Sequence, residues 1–289
     1  MINTKVLMSD TLHFSNEQPI NPYYHHESID LSQAQAEHDH IREMLLQAGV
    51  EVVLVPSPAT SQDGVYTANW ALVRGNKAVL ARLPAARQTE QPHARQVLEA
   101  MGIEVHELPE GIHFSGQGDA LPCGDLLFCG SQYRSDPEAQ AMAADILGYR
   151  RIQLQAKPQL NAAGQPVTNA SSGWPDSFYY DIDLALSIIK GPENGEKGLI
   201  AYCPEAFTDE SQRLLAKLDE VDKIIVSEHE AKDAFACNLV STGSTVVMSA
   251  HAPEFARQLT ARGLTLLQPE IHELVKGGGY IRCTTLTLA

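Results

Sequence analysis

A unit of one helix, a stop signal and one strand recurs along the chain, and this repeat constrains the fold more than any other feature. Five segments carry apolar residues at the three- and four-residue spacing of a helix, and four of them end in glycine. They are SQAQAEHDHIREMLLQAG, PHARQVLEAMG, SDPEAQAMAADILG, TDESQRLLAKL and HAPEFARQLTARG. A short apolar run follows each one, as in GVEVVLVP and GIEVHELP. Because Gly49, Gly102 and Gly148 recur at intervals of roughly 50 residues, the pattern indicates a cyclic or stacked array.

A second recurrent piece, two apolar runs around a turn, lies between each such strand and the next helix. Examples are NWALVRGNKAVLARL and GDALPCGDLLFCGS, with Gly-Asn and Cys-Gly-Asp at the bends. Each pair opens with a polar residue, and the final stretch IRCTTLTLA opens in the same way with a cysteine. These openings are Asn69, Asp119, Asp183, Asn238 and Cys283. If the modules surround an axis, the five side chains converge on one central place.

Length and composition indicate a globular chain that could form one domain or two over residues 1–289. The chain is 44% apolar and long enough to bury a large core. It contains no run of eighteen uncharged apolar residues, so no membrane partner is expected. The N-terminal stretch lacks the apolar core and cleavage site of a signal peptide, which predicts a cytoplasmic location.

Charge and cysteine usage exclude several classes of protein. A net charge of −15 with no basic cluster argues against a nucleic-acid partner. Five widely spread cysteines without a CxxC pattern indicate reduced thiols. The histidine pairs in YYHH and EHDH have no third ligand at metal-site spacing, so we expect loop and helix-surface histidines and no metal. The sequence leaves open a homo-oligomer.

Four motifs, in order and at the right spacing, carry a family resemblance: DGVYTANWAL, FSGQGDAL, CNLV and GGGYIRCTTL. They resemble the arginine deiminase, dimethylarginine dimethylaminohydrolase and amidinotransferase superfamily, and the resemblance covers nearly the whole chain. It implies an α/β fold, a pseudo-fivefold α/β-propeller of ββαβ modules with the active site at its centre. It also implies a small guanidino or amino-acid substrate, such as arginine or methylarginine.

The resemblance makes Cys283 the expected nucleophile. A guanidinium carbon is deactivated by resonance, so a thiolate that forms a covalent S-amidino intermediate assists hydrolysis, and a cationic substrate beside the sulfur favours ionisation. The glycine-rich turn before Cys283 would let backbone approach a ligand closely. A thiol pKa below the ordinary value is the expected signature of an enzyme. This chemistry needs no cofactor, and the chain has no GxGxxG, Walker, GxSxG or HExxH pattern.

Other site residues follow from the same resemblance. Asp119 and Asp183 occupy positions whose carboxylates hold a guanidinium, and Asn69 stands where the deiminases have aspartate and some dihydrolases have asparagine. Arg87 and Arg134 match positions that clamp an amino-acid carboxylate. Each of these five residues also has an explanation without a ligand. The Asp and Asn residues could form turns or caps, and the two arginines could lie exposed on the surface.

The chain departs from the family at its acid-base positions. Asp181 stands where the family has a histidine, and Ser115 stands where it has glutamate. Three interpretations are open. In the first, the proton is carried by Asp181 or by His113, which lies two residues before Ser115 and so on the same strand face. In the second, the substrate is more basic or more polar than that of the family. In the third, the site binds ligand without turnover. Amidino transfer to an amine uses the same intermediate and stays open as well. The polar segment 159–177, with Trp174, is either a lid or a surface loop.

Overall fold

A computed structural model of the chain describes residues 2–20, 23–24, 27–168 and 175–289. His25, His26 and Trp174 lie outside these residues. The predictions of a surface histidine pair in YYHH and of a tryptophan that covers the site therefore stay predictions.

Six helices are found in the described part of the chain. They are α1 (Leu31–Gln47), α2 (Glu90–Ala100), α3 (Pro137–Leu147), α4 (Asp209–Lys217), α5 (Glu228–Asp233) and α6 (Pro253–Thr260). All except the short α5 coincide with the five predicted helical segments, because the periodic apolar positions and the terminal signals agree. The side chain of Asp30 accepts hydrogen bonds from the backbone N–H groups of Ser32 and Gln33 at the start of α1. Gly148 ends α3 with a φ of 71°, a conformation that favours glycine.

The described residues form fifteen short strands. They are β1 (Lys5–Ser9), β2 (Glu51–Val55), β3 (Ala71–Arg74), β4 (Lys77–Leu80), β5 (Glu104–His106), β6 (Ala120–Cys123), β7 (Leu126–Cys129), β8 (Arg150–Gln153), β9 (Leu186–Lys190), β10 (Gly198–Tyr202), β11 (Val221–Ile225), β12 (Val240–Ser241), β13 (Thr245–Val247), β14 (Thr265–Leu267) and β15 (Leu286–Thr287). The predicted hairpins and the strands after each helix are all present.

The strands make five three-stranded sheets, and all five have the same connectivity. In the sheet β3-β4-β5, strands β3 and β4 form an antiparallel hairpin, and β4 pairs in parallel with β5 after helix α2. The sheets β6-β7-β8, β9-β10-β11 and β12-β13-β14 repeat this arrangement. Each of these four sheets is thus one ββαβ unit, and the protein is a mixed α/β fold of small sheets.

The remaining sheet joins the two ends of the described chain. β1 pairs in parallel with β2, as Val6 opposite Val52 shows, and antiparallel with β15, where Leu7 lies opposite Leu286. The last strand therefore supplies the outer strand that the first unit lacks. This pairing places the segment just before β15, which contains Cys283, among the corresponding segments of the other four sheets.

Two local expectations are wrong. His38 lies on α1, but its side chain is fully buried rather than on the helix surface. Asp181 and His113 lie before strands and not within them. The prediction that His113 shares a strand face with Ser115 is therefore wrong. Asp181 begins a 3₁₀ turn over Ile182–Leu184. None of the described helices combines the length and apolarity that a membrane crossing needs.

Candidate active site

The polar residues that open each unit lie in tight segments before the first strand of its sheet. 3₁₀ turns at Thr67–Asn69, Gly116–Gly118 and Ile182–Leu184 precede β3, β6 and β9. The expected convergence is confirmed by hydrogen bonds between segments. Nδ2 of Asn69 donates to Oδ2 of Asp181 at 2.8 Å, and the backbone N–H of Ile182 donates to Oδ1 of Asp119 at 3.0 Å.

Cys283 lies at this meeting point and is 4% exposed. Its Sγ accepts a hydrogen bond from Nδ2 of Asn238 at 3.2 Å, and it donates to Oδ2 of Asp183 at 3.5 Å. Burial raises the pKa of the Cys283 thiol well above its usual value, and the negative charges of Asp183 and Asp181 act in the same direction. In the protein without ligand, burial and the two carboxylates therefore act against the depressed thiol pKa that the sequence led us to expect.

The three glycines before Cys283 fit closely around one tyrosine. Gly278 has a φ of 82°, and a Cβ atom on Gly277 or Gly279 would overlap the side chain of Tyr66. The hydroxyl of Tyr66 donates to the carbonyl oxygen of Leu274 at 2.6 Å. The backbone of the glycine turn therefore packs against the ring of Tyr66. This contact fixes the segment that carries Cys283. Gly277, Gly279 and Tyr66 also line the pocket beside the thiol.

That pocket has a cavity volume of only about 20 Å³, and its wall includes Cys283, Asp181, Asn69, Arg134 and Tyr180. Two of its polar atoms are buried without a hydrogen-bond partner among the described residues. They are Oδ1 of Asp181 and Nη2 of Arg134, an acceptor and a donor. The pocket therefore offers one group that suits a cation and one that suits an anion.

Asp181 and Asp183 are two acidic residues that lie next to the thiol of Cys283. Both are buried, at 3% and 1% exposure. Burial raises the pKa of Asp181, although the Arg134 guanidinium opposes this effect. Burial also raises the pKa of Asp183 well above its usual range, and the charge of Asp181 adds to the shift. Such carboxyls can hold a proton at higher pH than an exposed aspartate can.

Arg134 presents its guanidinium to the pocket. The group lies 4.8 Å above the ring of Tyr180, whose hydroxyl donates to the carbonyl oxygen of Gly278. The side chain is held by this stacking contact while Nη2 remains unpartnered within the described structure. A planar guanidinium in this setting suits a carboxylate.

Arg87, in contrast, uses most of its donors on the protein. Its Nε and Nη2 donate to the carboxylate of Glu90 at 2.8 and 2.7 Å, and Nη1 donates to Oδ1 of Asn69 at 2.9 Å. The acceptor that Asn69 was expected to offer to a guanidinium is therefore occupied. Arg87 orients Asn69, and Asn69 in turn orients Asp181.

Three predicted site residues lie outside the pocket wall, namely Asp183, Asp119 and His113. Of these, only Asp183 contacts Cys283. Asp119 is buried, with Oδ1 accepting from Ile182 and Oδ2 from Nε2 of Gln140 at 3.4 Å, so its carboxylate braces two elements instead of facing a ligand. The Nδ1 atom of His113 lies 3.2 Å from Oδ2 of Asp136 in a neighbouring pocket that also contains Arg134. His113 does not line the pocket beside Cys283, and the residue after it, Phe114, pairs with Arg82.

Asn238 contacts the candidate nucleophile, although no role at the site was predicted for it from the sequence. Its position as a polar opening of the fourth hairpin was visible, but its contact with Cys283 was not. Tyr66 and Tyr180 were missed as well, and their only signal was their place next to polar openings. The described residues contain no group of three or more His, Cys, Asp or Glu side chains that could hold a metal ion.

Comparison with known families agrees with the site. A profile described as N,N dimethylarginine dimethylhydrolase, eukaryotic, matches residues 10–167, which is more than half of the chain. The chain belongs to the N,N-dimethylarginine dimethylhydrolase family. This membership places it in the superfamily that the four sequence motifs predict.

Relatives of this dimethylarginine dimethylhydrolase family member include proteins of two descriptions. An N(G),N(G)-dimethylarginine dimethylaminohydrolase of Mycobacterium tuberculosis is 29% identical over 97% of this chain and 84% of its own length. The bifunctional arginine dihydrolase/ornithine cyclodeaminase ArgZ of Synechocystis is 28% identical, and the match covers 98% of this chain and 37% of ArgZ. The solved N-terminal domain of ArgZ, bound to product, has a TM-score of 0.84 at 26% identity and covers 99% of this chain and 97% of that domain.

Proposed function

We propose that this protein is a cysteine-dependent hydrolase that cleaves a C–N bond of arginine or an arginine derivative through a covalent S-amidino intermediate. One observation carries the proposal. The pocket that exposes Cys283 also contains an unpartnered acidic oxygen, on Asp181, and an unpartnered guanidinium nitrogen, on Arg134. An arginine molecule has a cation at one end and a carboxylate at the other, so it matches both.

The relatives support this assignment. The mycobacterial protein is named for dimethylarginine hydrolysis, and the ArgZ domain is described as an arginine dihydrolase. One structure of an ArgZ variant, at a TM-score of 0.84 and 25% identity, is described as covalently bound to a reaction intermediate. A covalent route through Cys283 is consistent with this chemistry.

The substrate itself activates the nucleophile. Asp181 and Asp183 surround the thiol with carboxyl groups. Arg134 already balances part of the charge of Asp181, and Arg282 balances part of that of Asp183. A guanidinium bound against Asp181 adds a positive charge close to the sulfur. This charge lowers the thiol pKa that burial and the carboxylates had raised. The cationic substrate therefore promotes the ionisation of Cys283, which the empty pocket disfavours.

The contacts define a route for each proton. When Sγ of Cys283 bonds to the guanidino carbon, Oδ2 of Asp183 is the acceptor nearest to the thiol proton. The leaving nitrogen takes a proton from Asp181 as its C–N bond breaks, which releases ammonia or an alkylamine. Water then adds to the same carbon and gives one proton to Asp181. As the C–S bond breaks, the sulfur takes back its proton from Asp183, and the second proton of the added water leaves with the released ammonia or alkylamine.

In this scheme Asp181 does the work that the family resemblance gives to histidine. An exposed aspartate loses its proton too readily to serve as an acid near neutral pH, but burial raises the pKa of Asp181. Asn69 fixes the carboxyl through Oδ2, which leaves Oδ1 to face the substrate. The replacement of histidine is thus compatible with turnover, and we favour an active hydrolase over an inactive ligand-binding relative.

We also infer that the five sheets form a pseudo-fivefold α/β-propeller, as one domain over residues 1–289. The shared ββαβ connectivity supports this arrangement, and so does the pairing of β15 with β1, which closes the array. The polar openings of the five units then lie around the axis, where they contact one another.

Mass spectrometry of a substrate panel tests the function. The protein is incubated with L-arginine, monomethylarginine, asymmetric dimethylarginine and agmatine, and the products are measured together with any adduct on Cys283 after acid quenching. We expect ammonia or an alkylamine, citrulline or ornithine, and a transient amidino adduct at Cys283. Cys283→Ala and Cys283→Ser should remain folded and show neither product nor adduct. Turnover by either variant would overturn the role of the cysteine, and product only when an amine acceptor is added would indicate amidino transfer.

A further inference from the structure

A second cavity lies behind the candidate active site and shares none of the residues that line it. Its cavity volume is about 240 Å³, compared with about 20 Å³ beside Cys283. Asp183 lies between the two, because its Oδ2 accepts from Cys283 while the residue lines the second cavity. The same carboxyl group is thus reached from two directions.

The walls of this rear cavity are largely apolar and come from several sheets. Val73 of β3, Leu121 of β6 and Ile188 of β9 line it, together with Leu239 before β12 and Leu288 after β15. A cavity with such walls takes a ligand that has an apolar body.

The floor of the cavity has two unsatisfied acceptors. Asp183 and Ser187 are 1% and 4% exposed. Oδ1 of Asp183 and Oγ of Ser187 are both buried, and neither has a hydrogen-bond partner among the residues that the structure describes. Buried acceptors without donors are unfavourable, so their pairing here indicates a place for a hydrogen-bond donor from outside the chain.

The nearest cation does not meet this need. Arg282 also lines the rear cavity, but its Nη1 donates to the carbonyl oxygen of Thr285 at 2.9 Å and its Nη2 to Oε1 of Gln117 at 2.8 Å. Its guanidinium therefore braces the last turn of the chain. The positive charge of Arg282 acts favourably on Asp183, but Arg282 donates no hydrogen bond to Oδ1, and a ligand has to supply that donor.

We propose that the rear cavity binds a small primary ammonium compound with an apolar body, which donates to Asp183 and Ser187. The number of available oxygens favours an ammonium over a guanidinium. A guanidinium binds best to both oxygens of one carboxylate, but Oδ2 of Asp183 is taken by Cys283. An ammonium group is a compact donor that can bond one carboxylate oxygen and one hydroxyl.

Occupancy of the rear cavity acts on the reaction through Asp183. An ammonium group beside Oδ1 favours the ionised form of the Asp183 carboxyl group. It also competes with the Cys283 thiol for the negative charge of that group. A ligand there should therefore change kcat rather than KM, since it does not enter the substrate pocket. This consequence rests on the proposed function, whereas the binding itself does not.

Calorimetric titration tests the binding directly, with isobutylammonium chloride as the probe and isobutanol as its neutral counterpart. We expect isobutylammonium to bind and isobutanol to bind at least about tenfold more weakly, because only the ammonium offers a charged donor. Ser187→Ala should weaken the binding of isobutylammonium by about tenfold or more. Arg134→Gln, on the wall of the other pocket, is the matched control and should leave it unchanged.

A second variant guards against a trivial effect of Ser187→Ala on folding. Leu288→Trp fills the rear cavity with a larger side chain and should abolish isobutylammonium binding while turnover without the probe stays unchanged. Equal binding of isobutanol, unaltered binding to both variants, or an equal loss in Arg134→Gln would each overturn the proposal. The titration reads binding itself, so it decides the proposal whether or not the protein hydrolyses arginine.

Discussion

Asn238 and Cys283 hold each other through two hydrogen bonds. Nδ2 of Asn238 donates to Sγ at 3.2 Å, and the backbone N–H of Cys283 donates to Oδ1 of Asn238 at 3.2 Å. One side chain thus fixes both the position of the sulfur and the backbone that carries it. The donor faces the atom on which negative charge develops when the thiol ionises, so Asn238 stabilises the thiolate.

Removal of this donor should reduce the reactivity of the nucleophile. We expect Asn238→Ala to lower kcat by about tenfold or more, since a hydrogen bond to a charged group is lost. Asn238→Asp places a further negative charge beside the sulfur and should lower the rate further. The alkylation rate of Cys283, followed by mass spectrometry of the modified peptide, separates this effect from a loss of substrate binding. Unchanged alkylation and kcat in both variants would contradict the assigned role.

The ionisation of Cys283 should depend on the ligand. Burial and the carboxylates of Asp183 and Asp181 raise the thiol pKa, so alkylation by iodoacetamide should be slow near neutral pH and increase only at alkaline pH. A saturating, non-hydrolysed guanidino ligand that leaves the sulfur accessible should shift the pH profile to lower values. The four other cysteines are also buried, and peptide mapping is required to report on Cys283 alone. A profile that is already shifted below that of an ordinary thiol without ligand would contradict substrate activation.

Proton transfer should depend on Asp181 and not on His113. Asp181→Asn keeps the size of the side chain but removes its proton, and we expect turnover to fall by about a hundredfold or more. His113→Ala should have little effect, because the imidazole lies by Asp136 in the neighbouring pocket. Steady-state rates on the preferred substrate test both variants. The reverse pattern would assign the role to His113, and wild-type rates in both would refute the mechanism.

Arg134 should recognise the carboxylate of an amino-acid substrate. Arg134→Gln removes the charged donor and should raise KM for arginine by about tenfold to a hundredfold. Agmatine, which lacks the carboxylate, serves as the matched substrate, and its KM should change far less. Arg87→Gln should instead lower kcat for both compounds, because Arg87 orients Asn69. An equal rise in the KM of arginine and of agmatine would show that Arg134 does not recognise the substrate carboxylate.

The buried His38 should make stability fall in mild acid. Burial lowers the pKa of His38 to about 4, whereas an unfolded histidine titrates near about 6.5. As pH falls between these values, the unfolded chain takes up a proton that the folded chain refuses, so the free energy of unfolding decreases by up to about 1.4 kcal/mol per pH unit. Urea unfolding of His38→Gln at pH 7 and pH 5 should show a smaller decrease than the wild type. Equal decreases in the free energy of unfolding would show that groups other than His38 cause the loss of stability in acid.

The sequence by itself determined the repeated unit. The apolar spacing of each helix, the glycine that ends it and the alternating runs around each turn are encoded within stretches of about twenty residues, so local physics suffices to predict them. The recurrence of a polar residue at one point of each unit then predicted where the site would lie. Cys283 was recognisable on the same ground, as the last of these openings.

The tertiary structure decided what each polar side chain contacts. Asp119 and Arg87 were predicted to hold substrate, yet Asp119 accepts from the backbone of Ile182, and Arg87 pairs with Glu90 and Asn69. These partners come from separate units or from the opposite face of a turn, and nothing in the local sequence ranks them above a ligand. The pairing of β15 with β1 joins residues almost 280 positions apart, at Leu7 and Leu286. Side-chain partners at a centre built from five segments depend on how those segments meet, and that is fixed only when the whole chain packs.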